Sequence, residues 1–327
     1  MSDRSSGTPI PEGEGAVWEE PMLAQLVKPE EHDRVAGREG SAWQYERKLD
    51  GLRCLAVRNG RRVELWSRNQ LSYTVRFPGV VAALAALPAD RFTLDGELVA
   101  FDGKLTSFAR LQRPTPSSPP VYGVFDVLHL LGRDTRHLVL PERQNLVRQL
   151  LDGAPRALWV VPSLNGGPAD LLRQACADGW EGLVAKRLDS PYRGGRSPDW
   201  QKLKCSASQE LVVGGWTDPT GSRHGFGALL MGYYDETGGL RYAGKVGTGF
   251  DERTLREVHD TLLGLAIEAS PFAERVPERR GVHWARPELV AEVSFTEWTT
   301  DGRLRHPAFH GLRIDKDARS VVRELRG

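Results

Sequence analysis

The side chains in this sequence that could do chemistry are lysines and arginines set beside carboxylates. Residues 41–70 carry seven Lys/Arg against three Asp/Glu, and residues 183–206 carry six against two. Charge counts of this kind describe a solvated face as readily as a site. The local strings shift the balance. Lys48-Leu49-Asp50-Gly51-Leu52-Arg53 puts a lysine immediately before a tight Asp-Gly turn and an arginine just after it. Ser67-Arg68-Asn69, Asp95-Gly96-Glu97, Tyr122-Gly123-Val124-Phe125-Asp126, Glu181-Gly182-Leu183-Val184-Ala185-Lys186 and Trp200-Gln201-Lys202-Leu203-Lys204 follow in order. Lys202 and Lys204 alternate along a strand, so both point to one face and can reach one phosphate; Trp200 shares their parity.

These residues need rigid elements to hold them. WQYERKLDGLRCLAV, Asn59-Gly60 and RRVELW read as two strands around a hairpin, with Lys48 near a strand end. PGVVAALAAL (78–87) reads as a short helix, whereas RFTLDGELVAF and VYGVFDVLHL read as strands, the first interrupted at Asp95-Gly96. A helix over 141–153 opens with Pro and closes with Gly, and ALWVVP follows as a strand. PADLLRQACADG and WEGLVAKR repeat the helix-to-strand alternation, giving a mixed α+β character. After Lys204 come Gly-separated β-rich runs and one helix. Asp251 is its N-cap, and Leu255, Val258, Leu262 and Leu263 are assigned to one face. Five or so strands with one helix suit a small OB-fold barrel.

A chain of 327 residues has room for about two domains. The boundary is placed at Cys205–Gln209, between domains 18–205 and 206–327, and the Gly-, Pro- and Ser-rich residues 1–17 read as a mobile tail. With 44 Lys+Arg against 43 Asp+Glu, the whole chain carries no basic signature. Cys54, Cys176 and Cys205 are odd in number and far apart, and are expected to be reduced thiols. Neither G-x-x-x-x-G-K-[ST], G-x-G-x-x-G nor G-x-S-x-G is present, and Pro307 argues against His306 and His310 sharing a helical metal face. No leader-like start or run of eighteen apolar residues occurs, so a cytoplasmic protein without a membrane span is expected.

The six ordered strings resemble the motifs of ATP-dependent DNA ligases, from Glu46 to Arg303. PMLA (21–24), YRGGRSPDWQKLK, GFGALLMGYYD and KVGTGF resemble in particular ligase C and the ligase domain of ligase D. The resemblance implies a nucleotidyltransferase (ATP-grasp-like) domain joined to an OB-fold. It makes Lys48 the adenylated nucleophile. The amine must be neutral to attack, and at a pKa of about 10.4 that costs roughly 4.6 kcal/mol at pH 7, a deficit that neighbouring positive charge can reduce. It further implies adenine reading by Glu46 and the Arg47 backbone, adenine stacking by Phe125, ribose and phosphate contacts by Arg53, Arg68, Arg196, Lys202 and Lys204, and ribose or metal contacts by Glu97 and Glu181. Two separated carboxylates suffice for Mg²⁺ or Mn²⁺. Arg303, Arg305 or Lys316 is implied to orient the leaving pyrophosphate, in a last motif that departs from the Asp-Lys form of many relatives. Asn69-Gln70 stands where Asn-Gly is usual.

The expected activity is therefore sealing of nicked duplex DNA with ATP, in repair, by a free-standing monomer working beside end-binding proteins and a separate polymerase. A hinge at residues 206–208 is expected to let the OB-fold close over ATP and then over DNA. Three cysteines cannot build the four-thiolate zinc module of NAD-dependent ligases. RNA ligation, mRNA capping and a catalytically dead DNA-binding scaffold are the rival expectations.

Overall fold

The computed structural model describes residues 8–9, 16–28, 31–33, 43–106, 108–112, 118–205, 207–219, 224–278 and 280–324. Most of the expected tail, and Ser206 of the expected hinge, lie outside them. Chain contacts divide the protein into a unit ending at Cys205 and a unit spanning Ser206–Leu325.

The first unit contains β1 (Met22–Leu26), β2 (Trp43–Arg47), β3 (Leu52–Asn59), β4 (Arg62–Ser67), α1 (Pro78–Ala85), β5 (Arg91–Val99), β6 (Val121–Leu130), α2 (Leu140–Leu150), β7 (Leu158–Val160), β8 (Ser163–Leu164), α3 (Pro168–Ala177), β9 (Gly182–Arg187) and β10 (Gly195–Lys204). One sheet runs β6-β5-β3-β4, with β7 parallel to β6; the other runs β8-β2-β9-β10-β1. Alternation sorts the first sheet's side chains into two cores. Cys54, Ala56, Leu94, Leu98 and Val124 pack with Val80 and Leu84 of α1 and Val147 and Leu150 of α2. On the other face, Leu55, Val99, Phe125 and Leu128 cluster with Met22, Tyr192 and Trp200, joining the two sheets. Leu183, Leu203 and Ala175 pack beneath the second sheet on α3. The expected break in β5 at Asp95-Gly96 is a register shift against β6, with the strand itself continuous.

Two expectations are corrected here. Ala16 and Val17, assigned to the mobile tail, are docked: the Ala16 N–H donates to Asn59 Oδ1 (2.7 Å), Asn59 Nδ2 donates back to the Ala16 carbonyl (2.6 Å), and Thr93 Oγ1 donates to the Val17 carbonyl (2.9 Å). Thr8–Pro9 likewise pairs with Arg133–Asp134. The thiols of Cys176 and Cys205 are joined in a disulfide, leaving Cys54 as the buried free thiol. The end of α3 lies over the end of β10, bringing the two Cα atoms to 5.2 Å across 29 residues of sequence. Closing a loop of that length is worth about 3–4 kcal/mol in the chain-entropy account. Thiol reductant is therefore expected to lower the melting temperature of the intact chain by several degrees while leaving a Cys176→Ser/Cys205→Ser variant unmoved, as followed by differential scanning calorimetry.

The second unit contains β11 (Ala207–Thr217), β12 (Leu229–Tyr234), β13 (Leu240–Val246), α4 (Glu252–Gly264), β14 (Val282–Ala285), β15 (Val290–Phe295), β16 (Glu297–Trp298), β17 (Leu304–Arg305) and β18 (Ala308–Leu312). The long β11 pairs with β12, β14 and β15; β12 also pairs with β13, and β15 with β18. Among the described residues this path stays open, so the expected OB-fold unit takes the form of an open sheet. Asp251 caps α4 as expected, accepting from the Thr254 N–H at 2.6 Å. Leu255, Val258 and Leu262 are buried, but Leu263 is 56% exposed: one residue past Leu262 turns about 100° off the core stripe.

Candidate active site

Strand register builds the site. Val184 pairs with both Glu46 and Lys202, Lys186 with Trp200, and Gly182 with Lys204, so Glu46, Val184, Lys186, Trp200, Lys202 and Lys204 share one face of the second sheet. Lys48 follows β2 at the parity of Glu46, and its backbone N–H donates to the Gly182 carbonyl at 2.9 Å. Gly182 adopts φ +147°, and any Cβ there would collide with the Leu203 carbonyl oxygen and approach Lys204 Cα to 2.9 Å. That close approach of β9 to β10 carries Glu181 to the lysines. Lys48 Nζ lies 2.6 Å from Glu181 Oε2, and Lys204 Nζ 3.9 Å from Oε1. Burial pushes the Glu181 carboxyl up, but Lys48, Lys204 and Lys202 outweigh it and hold the group below its ordinary value. A carboxylate kept ionised suits a cation ligand better than a proton acceptor.

The first sheet supplies the facing wall. Arg53 on β3 stands cross-strand from Glu97 on β5. Its fork is occupied: Nε and Nη2 each donate to an Asp95 carboxylate oxygen at 2.6 Å, and Nη2 also donates to the Met22 carbonyl at 3.0 Å. Tyr192 donates its hydroxyl proton to Asp95 (2.6 Å) and accepts from the Met22 N–H (2.8 Å). Burial lowers the Arg53 pKa, and the Asp95 carboxylate more than restores it. Arg53 is thus held by protein acceptors, where a phosphate or ribose contact was expected. Phe125 sits at the register shift, since Asp95 pairs with Asp126 and Gly96 with Val124. It is 9% exposed, with Arg53 Cζ 4.6 Å and Lys186 Nζ 4.2 Å from its ring centroid.

Helix α2 binds the two walls together. Arg143, fully buried, forks onto Asp126 (2.7 and 3.0 Å) and donates to the Leu138 and Ser190 carbonyls. Gln144 Nε2 donates to Glu46 Oε1 at 2.7 Å, Gln44 Nε2 donates to the same oxygen at 3.1 Å, and Lys186 Nζ lies 2.6 Å from Oε2. Glu46 and Lys186 are each 2–3% exposed at the side chain. Burial raises the Glu46 pKa and Lys186 opposes it. The roles of Asp95, Asp126, Arg143, Gln144, Lys186 and Tyr192 were not anticipated. Signals existed: Asp95 shares parity with Glu97, and residues 143 and 144 fall on the stripe 140, 147, 150 that α2 buries.

The other expected residues are scattered more widely. Arg47 alternates away from Glu46; its guanidinium donates to the Lys104 carbonyl (3.0 Å) and stacks on Trp180 (4.8 Å). Arg196 donates to the Ala24 carbonyl at 3.1 Å near the surface. Arg68 is half-buried just past β4, in a turn where Ser67 Oγ accepts from the N–H groups of Asn69 and Leu71. In that turn Gln70 adopts φ +60°, which glycine would occupy without strain. Gln70→Gly is expected to stabilise the chain by about 1 kcal/mol, read as a raised denaturation midpoint in urea. In the second unit Arg303 donates to the Tyr242 carbonyl and lies 3.3 Å from Glu274, Arg305 pairs with Glu297 (2.7 Å), and Lys316 with Glu210 (2.6 Å).

Among the described residues no group of three or more His, Cys, Asp and Glu is gathered to hold a metal. The donor set nevertheless fits Mg²⁺. Glu97 and an ionised Glu181 offer hard oxygens only, and this ion is commonly held by one or two carboxylates, with water and phosphate completing its shell.

A lysine against an anionic glutamate, between two facing sheets and followed in the chain by an OB-like unit, is an arrangement suited to a nucleotidyltransferase domain with a C-terminal companion. The chain belongs to the ATP-dependent DNA ligase family: residues 21–204 match the ATP dependent DNA ligase domain and residues 222–316 the ATP dependent DNA ligase C terminal region. It is 42% identical over 326 residues (97% of this chain) to the multifunctional non-homologous end joining protein LigD of Pseudomonas aeruginosa, and 38% identical over 309 residues (93%) to the corresponding DNA repair protein of Mycobacterium tuberculosis. Those matches span 37% and 40% of the relatives' own lengths. Among solved structures, mycobacterial DNA ligase D complexed with ATP and MES aligns with TM-score 0.68 at 36% identity, covering 93% of this chain and 98% of that one.

Proposed function

We propose that this chain seals 5′-phosphate/3′-hydroxyl nicks in duplex DNA through a Lys48-AMP intermediate. The observation that carries the reading is Lys48 held 2.6 Å from an ionised Glu181, on the face that also bears Glu46, Lys202 and Lys204. The deprotonated Lys48 amine attacks the α-phosphorus of ATP; the N–P bond forms as the P–O bond to pyrophosphate breaks. The 5′-phosphate oxygen of the nick then takes the adenylyl group, freeing Lys48, and the 3′-hydroxyl displaces AMP to close the phosphodiester. Glu46 reads the base and Phe125 stacks on it. Lys202, Lys204, Arg68 and Arg196 take phosphate oxygens; Arg53, its Nε and Nη2 held by Asp95, reaches the ribose or phosphate through Nη1. Arg303, Arg305 or Lys316 orients pyrophosphate in the first step. Glu97 and Glu181 would hold Mg²⁺ or Mn²⁺, which supplies neutralisation of phosphate charge.

The LigD relatives support a place in end joining; we propose that the chain works there as a cytoplasmic monomer beside end-binding proteins and a separate repair polymerase. Among the described residues no helix is long and apolar enough to cross a membrane. The test is sealing of a labelled nicked duplex by the purified chain with ATP and Mg²⁺. A product of ligated length is expected. Ligation of RNA alone would move the chain to RNA repair, transfer of GMP would move it to capping, and DNA binding without either product would leave a scaffold.

A further inference from the structure

A buried polar cage surrounds Glu46. Gln44, Glu46 and Gln144 form a closed hydrogen-bonded triangle. Gln144 donates to Glu46 Oε1 (2.7 Å) and accepts from Gln44 Nε2 through its own amide oxygen (2.9 Å), while Gln44 Nε2 also reaches Glu46 Oε1 (3.1 Å). Lys186 Nζ forms an ion pair with Oε2 at 2.6 Å. A carboxylate offers about four acceptor positions. The two donors fill Oε1, and Lys186 stands against Oε2 as a countercharge, which leaves Oε2 as the oxygen with acceptor capacity for a ligand. The neighbouring Arg143 locks the same helical turn to Asp126, the residue after Phe125. One turn of α2 thus fixes both the carboxylate and the backbone beside the ring.

We infer that Gln144 is a positioning residue that sets nucleobase selectivity, by tying down Oε1 of Glu46 and so presenting Oε2 as a fixed acceptor for the exocyclic amine of adenine. The inference rests on the reading of Glu46 as the base-reading group. Guanine carries a carbonyl oxygen where adenine carries that amine, so a fixed acceptor meets a lone pair instead of a donor. A site of this kind discriminates far more strongly than an apolar pocket, because the mismatched base leaves a buried polar group unpaired. Freed from Gln144, Oε1 regains an open acceptor position and the carboxylate can turn, so a second base can be accommodated.

The test is equilibrium binding of ATP and of GTP to the full chain by isothermal titration calorimetry in EDTA, where no adenylyl transfer intervenes. Gln144→Met keeps the side-chain volume and removes both hydrogen bonds. Its preference for ATP over GTP is expected to fall by about tenfold or more, chiefly through weakened ATP binding. Gln44→Met, at a half-buried position, is expected to shift the preference in the same direction and keeps the test open should Gln144→Met fail to fold. An unchanged ATP:GTP ratio in a folded variant overturns the inference, as does an unaltered chain that binds both nucleotides equally. Failure of Lys48 to take up AMP would overturn the proposed ligation instead, because the binding ratio is read without that step.

Discussion

Lys48→Ala should leave a folded chain that no longer takes up AMP from ATP, a loss on the order of 10⁴-fold or more in adenylyl transfer. The substitution removes the amine held 2.6 Å from Glu181, while Lys204 remains 3.9 Å from that carboxylate. Lys48→Arg separates charge from chemistry. It restores a cation beside Glu181, yet a guanidinium stays protonated at any working pH and offers no free electron pair. Both variants should melt within a few degrees of the unaltered chain, and mass spectrometry after incubation with ATP and Mg²⁺ should find the adenylyl group in neither. Retention of the label by the alanine variant would remove Lys48 from the reaction.

The second large effect concerns folding. Asp126→Ala strands the Arg143 guanidinium at a position without solvent exposure, where a broken buried pair costs about 3–5 kcal/mol. The Leu138 and Ser190 carbonyls remain as acceptors but carry no compensating charge. At roughly 2–4 °C per kcal/mol for a unit of this size, the melting temperature should drop by at least several degrees. Asp126→Ala/Arg143→Leu, which removes both charges, should recover a good part of that loss. If the double variant is no more stable than the single one, the pair is not what holds α2 to β6.

Much of the site could be read because strands alternate with a period of two. Lys202 and Lys204 share a face with Trp200 in the register with β9, as their spacing requires. Asp251 was legible as an N-cap because a capping carboxylate acts within three residues of itself. What escaped depends on contacts between distant segments. Nothing in the spacing of Cys176 and Cys205 says that α3 ends over β10, and nothing around Ala16 says that Asn59 will accept and donate there. Gln144 and Arg143 were visible only as polar residues on a buried helical stripe, an anomaly that calls for partners without naming them. Arg53 shows the converse: its motif suggests a free phosphate fork, and tertiary structure closes that fork on Asp95. Leu263 was misplaced for a simpler reason: it directly follows Leu262, and neighbouring helical residues lie about 100° apart, so the two do not share the core stripe.

Position 182 carries a consequence for how this sequence can drift. The space in which a side chain would begin is already filled by the Leu203 carbonyl and Lys204 Cα, so none of the other nineteen amino acids can be seated there without prying apart the strands that deliver Glu181 and Lys204. Saturation mutagenesis under selection for joining should therefore return glycine alone. The residue with the least chemistry of its own would then be among the hardest to replace.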